Sequence, residues 1–227
     1  AGIDLRLGPA EVLGLIGDNG AGKSTLVKII AGNYGPIAGE MRLEGQPVRF
    51  AKPSDASARG IEIVYQDLAL SDNLSAALNI FLGRELSWSL GPFRFLDRTE
   101  MVARASKLFA ELKSETRPRD LVKTMSGGQR QAVAIARTRL ADPKIVLKDE
   151  PTAAISVRQV AEVLDLIRNL KATGHAVVLI SHRLPDVFAV CDRVVVLRRG
   201  GKVADKPVSE TSPEEVTGLI TGAIERA

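Results

Sequence analysis

The chain has 227 residues, 45% hydrophobic and 26% charged, which excludes intrinsic disorder and suits one domain, or one domain carrying a subdomain, with a sizeable core. No apolar run approaches the roughly 18 to 20 residues of a membrane-spanning helix, and no basic stretch followed by an apolar one opens the chain, so a soluble chain with nothing directing export is expected. A net charge of +4 from 31 basic and 27 acidic residues, scattered without basic blocks or interleaved aromatics, leaves no nucleic-acid footprint, and the single cysteine, Cys191, reads as a small buried hydrophobe in a reducing compartment.

In chain order, Ile3 to Leu7 reads as a short strand and Val12 to Ile16 as a buried one. Gly17-Asp18-Asn19-Gly20-Ala21-Gly22-Lys23-Ser24 follows at once and fits G-x-x-x-x-G-K-[ST] at every fixed position. With Gly at about 7% of residues, such a match arises by chance on the order of once in a hundred chains of this length. Glycines let backbone N–H groups curl around phosphate oxygens, Lys23 adds a positive charge, and the Ser24 hydroxyl can bind Mg²⁺. Lys23 to Ala31 reads as a helix whose N-terminus faces the anion.

Met41 to Glu44 and Val48 to Phe50, turned by Gly45-Gln46-Pro47, suggest a hairpin and hence an antiparallel layer beside the loop-bearing strand. Ile61 to Tyr65, Lys144 to Lys148, Ala176 to Ile180 and Arg193 to Leu197 are apolar runs separated by helical patterns, as in a parallel sheet covered by helices. Between Leu74 and Met125 the strand signal disappears. Asp97 to Lys113 instead places Met101, Val102, Ala105, Leu108, Phe109 and Leu112 on one helical face, with Asp97 as N-cap, so this interval reads as an inserted helical subdomain. Ser156 to Leu170 is a further helix, with Val157, Val160, Ala161, Leu164, Ile167 and Leu170 at helical spacing and Ser156 and Gln159 as a capping box. After the Arg198-Arg199-Gly200-Gly201 turn, Ser212 to Ile224 reads as a weaker helix.

Asp149 and Glu150 stand where the apolar run Lys144 to Lys148 meets a loop. One carboxylate there can hold the Mg²⁺ that bridges nucleotide phosphates and the other can polarise an attacking water; strand alternation aims Asp149 at the nucleotide. Lys148 lies on the opposite face, where a buried ammonium must find a carboxylate, reach solvent or destabilise the fold. His175, after Thr173-Gly174, reads as a surface loop residue.

With these residues on the page, nearly the whole chain resembles the nucleotide-binding subunit of an ATP-binding cassette (ABC) transporter. Ser126-Gly127-Gly128-Gln129 matches that family's signature, Ile145 to Glu150 its second nucleotide motif, Gln66 its glutamine loop, Ala153 to Ser156 its D-loop and His182 its switch histidine, all in the family's order. The resemblance implies an α/β P-loop NTPase fold with a mixed sheet core, an antiparallel β subdomain and an inserted helical subdomain. It implies a single ABC ATPase domain over residues 1–227, with its core in 1–70 and 126–227 and the helical subdomain at about 71–125.

The resemblance also implies that Gly17 to Ser24 and Thr25 hold ATP, that Ser24, Gln66 and Asp149 hold Mg²⁺, and that Glu150, His182 and Gln66 act in catalysis. Ser126, Gly127, Gly128 and Gln129, at the start of a helix beginning near Gln129, would meet the γ-phosphate bound by a second subunit in a head-to-tail dimer. Expected partners are that second ATPase subunit, an integral membrane permease docked on Asp67 to Leu74 and, indirectly, a substrate-binding protein, at the cytoplasmic face of the cell membrane.

Val64 to Leu74, Phe81-Leu82-Gly83-Arg84-Glu85, Pro151 to Ala154 and Ser181 to Leu184 resemble the ATPases of bacterial monosaccharide importers of the ribose, xylose and fructose type, many of which carry two cassettes where this chain has one set of motifs. The family's adenine-stacking aromatic would precede residue 1, so the N-terminal end is expected to be missing, and Ser156 stands where many relatives have an acid. The alternatives are an importer ATPase for another small solute, a soluble non-transport ABC ATPase, a small-molecule kinase and a non-hydrolysing sensor. The interval from Gln66 to Ser126 is too short for a long coiled coil, a kinase would not need Ser126 to Gln129, and Glu150 argues against a sensor.

Overall fold

The computed structural model describes residues 2–64, 69–140, 143–152 and 156–225. In chain order its elements are β1 (Val12–Gly17), α1 (Lys23–Ile30), β2 (Met41–Leu43), β3 (Gln46–Val48), α2 (Pro53–Ala58), β4 (Ile61–Val64), α3 (Ala76–Ile80), β5 (Ser87–Leu90), β6 (Phe93–Leu96), α4 (Arg98–Glu111), α5 (Gly127–Arg139), β7 (Ile145–Asp149), α6 (Val157–Ala172), β8 (Ala176–Ile180), α7 (Leu184–Val190), β9 (Arg193–Arg198), β10 (Gly201–Pro207) and α8 (Pro213–Thr221). They fall into two compact units: residues 1–66, 143–151 and 170–227, and residues 67–142 and 152–169.

The first unit is built on a six-stranded sheet of order β10-β9-β1-β8-β7-β4, parallel throughout except for β10. All six residues of β1 and all five of β8 are buried. This is why both read as unbroken apolar runs: central strands of a covered parallel sheet have no polar face. Leu13, Leu15, Val27, Leu147, Val178 and Val195 share one core cluster. Cys191 is buried, and its thiol is pushed up out of the usual range by burial first and the Asp192 charge second, so it stays an inert thiol.

Several expectations need correction. Ile3 to Leu7 alternates as read, with Ile3, Leu5 and Leu7 packed on the core, but it belongs to no strand; the Asp4 carbonyl accepts from Lys202 Nζ at 2.6 Å and that of Arg6 from the Arg193 guanidinium. The hairpin turns on two residues instead of three: Glu44 (φ 52°) and Gly45 (φ 79°) are both left-handed, which matches the twist of paired strands. Its second strand therefore starts at Gln46, with Pro47 opposite Arg42. The parallel β7 runs one residue later than read, ending on Asp149. Edge strand β10 gave no apolar signal, because it is held by backbone pairing to β9 and carries Lys202, Lys206 and Pro207, residues that discourage further strand addition.

In the second unit α3, α4 and α5 pack on one another. Helix α4 buries Met101, Ala105 and Phe109, and its N-cap Asp97 accepts from the Glu100 N–H at 2.9 Å. Asn79, fully buried, accepts from the Ser71 N–H at 2.7 Å and donates to the carbonyls of Ser71, Leu74 and Ser75 at 3.0–3.3 Å, which fixes the segment before α3. The expectation that residues 74–125 hold no strand fails: β5 and β6 form an antiparallel hairpin there. On α6 the capping box closes, with Ser156 N–H donating to Gln159 Oε1 at 2.9 Å. Val157 and Ala161, read as apolar-face residues, are exposed, and Val163 and Leu166 are buried instead. No helix among the described residues is long and apolar enough to cross a membrane.

Candidate functional site

Three chain segments leave the carboxyl ends of parallel strands in the first unit, the usual side for ligands in such sheets. The first follows β1. Gly17 sits so close to β9 that a Cβ there would lie 2.2 Å from the Leu197 carbonyl oxygen, a main-chain atom that cannot move aside cheaply. Lys23, the first residue of α1, is buried and donates from Nζ to the carbonyls of Gly17 at 2.7 Å and Asp18 at 3.0 Å. Two of its three donors thus brace the loop, and the third can face an anion. Gly22 caps α1 without a side-chain bond, so the first N–H groups of the helix can take phosphate oxygens. Ser24 and Thr25 are exposed at this end.

Asp149 ends β7, half-buried and in register with Ile180 of β8. Its pKa is raised by burial, against the opposing charges of Lys23 and Lys28, which places the carboxylate within electrostatic reach of the phosphate loop. The Ser24 hydroxyl and Asp149 carboxylate are hard oxygen donors. Among the described residues no three His, Cys, Asp or Glu side chains cluster as a metal site. A donor set this small fits Mg²⁺, which keeps several waters and takes phosphate oxygens alongside one or two protein ligands.

Glu150 follows with φ 47°, a left-handed conformation for a non-glycine residue, and its N–H donates to the Ile180 carbonyl at 3.0 Å. His182, just past β8, meets it: Nδ1 lies 2.8 Å from Glu150 Oε2. The imidazole is 64% exposed and the carboxylate 17%. With Nδ1–H donated to the carboxylate, His182 Nε2 can accept a hydrogen bond when the ring is neutral, or donate to an anionic oxygen when it is charged. The buried Ser181 accepts from the Arg183 N–H at 3.1 Å and holds the turn behind His182. Together these residues can hold a nucleotide's phosphates and place one carboxylate to take a proton from water.

The signature residues belong to the second unit. Helix α5 begins at Gly127, two residues before the expected start, because Ser126 and Gln129 close a capping box: Gln129 N–H to Ser126 Oγ at 3.2 Å and Ser126 N–H to Gln129 Oε1 at 3.0 Å. A Cβ on Gly128 would lie 2.0 Å from Glu162 Oε2 of α6, so this glycine makes room for a side chain of its own chain. Gln66 and Ala153 to Ile155 of the D-loop lie outside the described residues, as do Asp67 and Leu68.

His175 overturns its sequence reading. It is buried, its Nδ1 lies 2.7 Å from the Pro143 carbonyl, and its Nε2 has no partner among the described residues. It joins two segments of the sheet unit structurally and stands at the opposite, amino-terminal end of β8 from His182. Its one sequence signal was its place directly before the apolar run Ala176 to Ile180.

Two glycines give contrasting expectations. Gly17→Ala drives a methyl group into a β9 carbonyl, so it should lower unfolding stability by about 1–3 kcal/mol and weaken ATP binding. Gly128→Ala meets the movable carboxylate end of Glu162 at 2.0 Å and, less severely, its Cβ at 3.3 Å, with no main-chain atom among these contacts, and should change stability less. Thermal unfolding and nucleotide titration of the two variants check this.

Residues 1–153 match the family model described as ABC transporter. The chain belongs to the ABC transporter family. It is 43% identical over 221 residues to a xylose/arabinose import ATP-binding protein of Sulfolobus acidocaldarius, covering 97% of this chain and 86% of that one. It is 44% identical over 231 residues to a fructose import ATP-binding protein of Rhizobium meliloti, covering 98% of this chain and 87% of that one. Among solved structures, a nucleotide-free ATP-binding cassette from an ABC transporter superposes with a TM-score of 0.78 at 25% identity, covering 95% of this chain and 86% of that one. The chain is thus an ABC ATPase with the P-loop NTPase fold: a mixed sheet core with helices and separate antiparallel sheets.

Proposed function

We propose that this ABC ATPase powers import of a monosaccharide, acting as a head-to-tail pair of cassettes under an integral membrane permease at the cytoplasmic face of the cell membrane, with a substrate-binding protein supplying the sugar. The names of the relatives, import proteins for xylose/arabinose and fructose, support the sugar class. The observation that carries the catalytic reading is the 2.8 Å contact between Glu150 and His182, at the carboxyl ends of the neighbouring strands β7 and β8, on one side of the β1 strand that bears the Lys23 loop.

In this reading Lys23 and the N–H groups of residues 17 to 25 hold the β- and γ-phosphates. Ser24 and Asp149, with Gln66, hold Mg²⁺, which when bound draws charge from the phosphate oxygens. A water placed by Glu150 attacks the γ-phosphorus in line: the new P–O bond forms as the bond to the β–γ bridging oxygen breaks, ADP leaves with that oxygen's electron pair, and the water's proton passes to Glu150. His182 orients Glu150 and contacts the γ-phosphate through Nε2. Ser126, Gly127, Gly128 and Gln129 present the start of α5 to the ATP held by the other chain. Residues 1–227 form one ABC ATPase domain, with its core in 1–70 and 126–227, residues of about 71–125 inserted as the helical subdomain, and the permease docked on Asp67 to Leu74. The ion pair of Asp72 with Arg130, at 2.8 Å, ties the proposed docking segment to the signature helix and supports transmission between them.

Two measurements test this. With Mg-ATP, a chain carrying Glu150→Gln should sediment as a dimer, and adding Ser126→Arg should return it to a monomer of unchanged fold; a double variant that still dimerises sinks the trans arrangement. Vesicles holding the permease and this chain should accumulate a labelled monosaccharide only with ATP. Uptake of a different solute class in its place overturns the sugar assignment.

A further inference from the structure

The β5–β6 hairpin is an anomaly for a soluble domain. Every residue of both strands is exposed. The register sets Trp88 opposite Phe95 and Leu90 opposite Phe93, so these four share one face. The Trp88 and Phe95 rings stack with centroids 5.0 Å apart, and Phe93 lies 6.5 Å from Phe95. Arg94 points to the other face, donating to Ser87 Oγ at 2.8 Å. The chain has nine aromatic residues (Phe 6, Tyr 2, Trp 1), and three of them lie on this one solvent-facing surface, which is not how a sparse aromatic supply serves a core. A two-stranded hairpin is marginal in water by itself, and an aromatic face left wet adds no stability, so a cover is needed.

We infer that this face is an interfacial anchor that seats the ATPase on the headgroup region of a lipid bilayer. Three properties select lipid over protein. The face is small: at exposures of 45–66% and about 150–250 Å² per aromatic side chain, it offers on the order of 400–500 Å², against about 800 Å² per partner in a stable protein contact. It carries little net charge: Arg84, Arg94 and Arg98 stand beside Glu85, Asp97 and Glu100, the last of these paired with Arg104 at 2.7 Å, so no strongly acidic or basic partner is favoured. Its make-up, a tryptophan and two phenylalanines with leucine, is that of side chains which settle at the membrane–water boundary. Hairpin insertion requires neither ATP nor the permease, and is independent of the transported solute.

Trp88 is the only tryptophan, so its fluorescence reports this face alone. The full chain without ATP is mixed with phosphatidylcholine vesicles, with and without phosphatidylserine, some carrying lipids brominated near the headgroup. The expected result is a blue shift and bromine quenching of Trp88, little changed by phosphatidylserine or by added salt. Leu90→Ser with Phe93→Ser should weaken vesicle partitioning at least about tenfold, from the lost apolar area, while ATP turnover in solution and the melting temperature stay unchanged. Four outcomes overturn the anchor: Trp88 emission that ignores vesicles; binding that needs phosphatidylserine and fails in salt; a blue shift that grows with protein concentration in vesicle-free buffer, which assigns the face to a second copy; and binding only to membranes containing the permease, which assigns it to protein.

Discussion

Glu150→Gln is expected to leave ATP bound and to lower turnover by about 10²–10⁴-fold, the usual contribution of a positioned general base. The change removes the proton acceptor and little else: the amide oxygen of Gln can still accept from His182 Nδ1, and the backbone bond from residue 150 to the Ile180 carbonyl is untouched. The backbone conformation adds a second expectation. A left-handed non-glycine residue costs on the order of 1–2 kcal/mol, and Glu150 holds φ 47° at the point where the chain leaves β7. Glu150→Gly should therefore be at least as stable as the parent chain while equally inactive. Phosphate release at saturating ATP, read beside chemical denaturation, checks both. Turnover near the parent value in Glu150→Gln removes this residue as the base.

Lys148→Met is expected to stabilise the chain, by an amount that depends on pH. Lys148 is 0% exposed, between Val64 of β4 and Leu179 of β8 in register, and burial lowers its pKa from 10.5 to about 7. The unfolded chain thus binds a proton that the folded chain releases between pH 7 and 10.5, so stability rises with pH across that window. Below pH 7 both states are protonated and the penalty is complete; above 10.5 both are neutral and it vanishes. At 1.36 kcal/mol per pKa unit, the penalty is on the order of 5 kcal/mol at its largest, and a methionine of similar length and no charge should recover about 2–4 kcal/mol of it. Denaturation of both chains at pH 6, 8 and 10 should show the gap narrowing as pH rises. A variant less stable than the parent at pH 6 would refute this.

What could be read from the sequence was what local chemistry alone determines. β1 and β8 were legible as unbroken apolar runs, α4 and α6 by their caps Asp97 and Ser156, and the phosphate loop by glycine spacing and Lys23. β10 was not, because Gly201 to Pro207 is held by pairing to β9 across a backbone ladder that side chains do not advertise. β5 and β6 were missed for the opposite reason. Their alternation of Ser with Trp and Leu, then Phe with Arg, is a strand signal, but the segment lacks the Val and Ile runs that marked the sheet. Asp149, Glu150 and His182 could be named from the sequence, whereas the 2.8 Å approach of His182 to Glu150 depends on β7 and β8 being neighbours. The burial of His175 and the closeness of Gly128 to Glu162 are likewise products of packing between distant segments. Residue type alone marks Lys148 as out of place in an apolar strand; its burial sets its basicity and the sign of its pH dependence.

The measurement that bears most directly on a site completed by a second chain is ATP turnover per chain as a function of chain concentration, at saturating Mg-ATP and in the absence of permease. Assembly-dependent hydrolysis predicts that turnover per chain rises with concentration and levels off once pairs form, while Ser126→Arg stays at the dilute-limit value throughout. Turnover per chain that is constant over the same range, in samples that sedimentation shows to be monomeric, would contradict it.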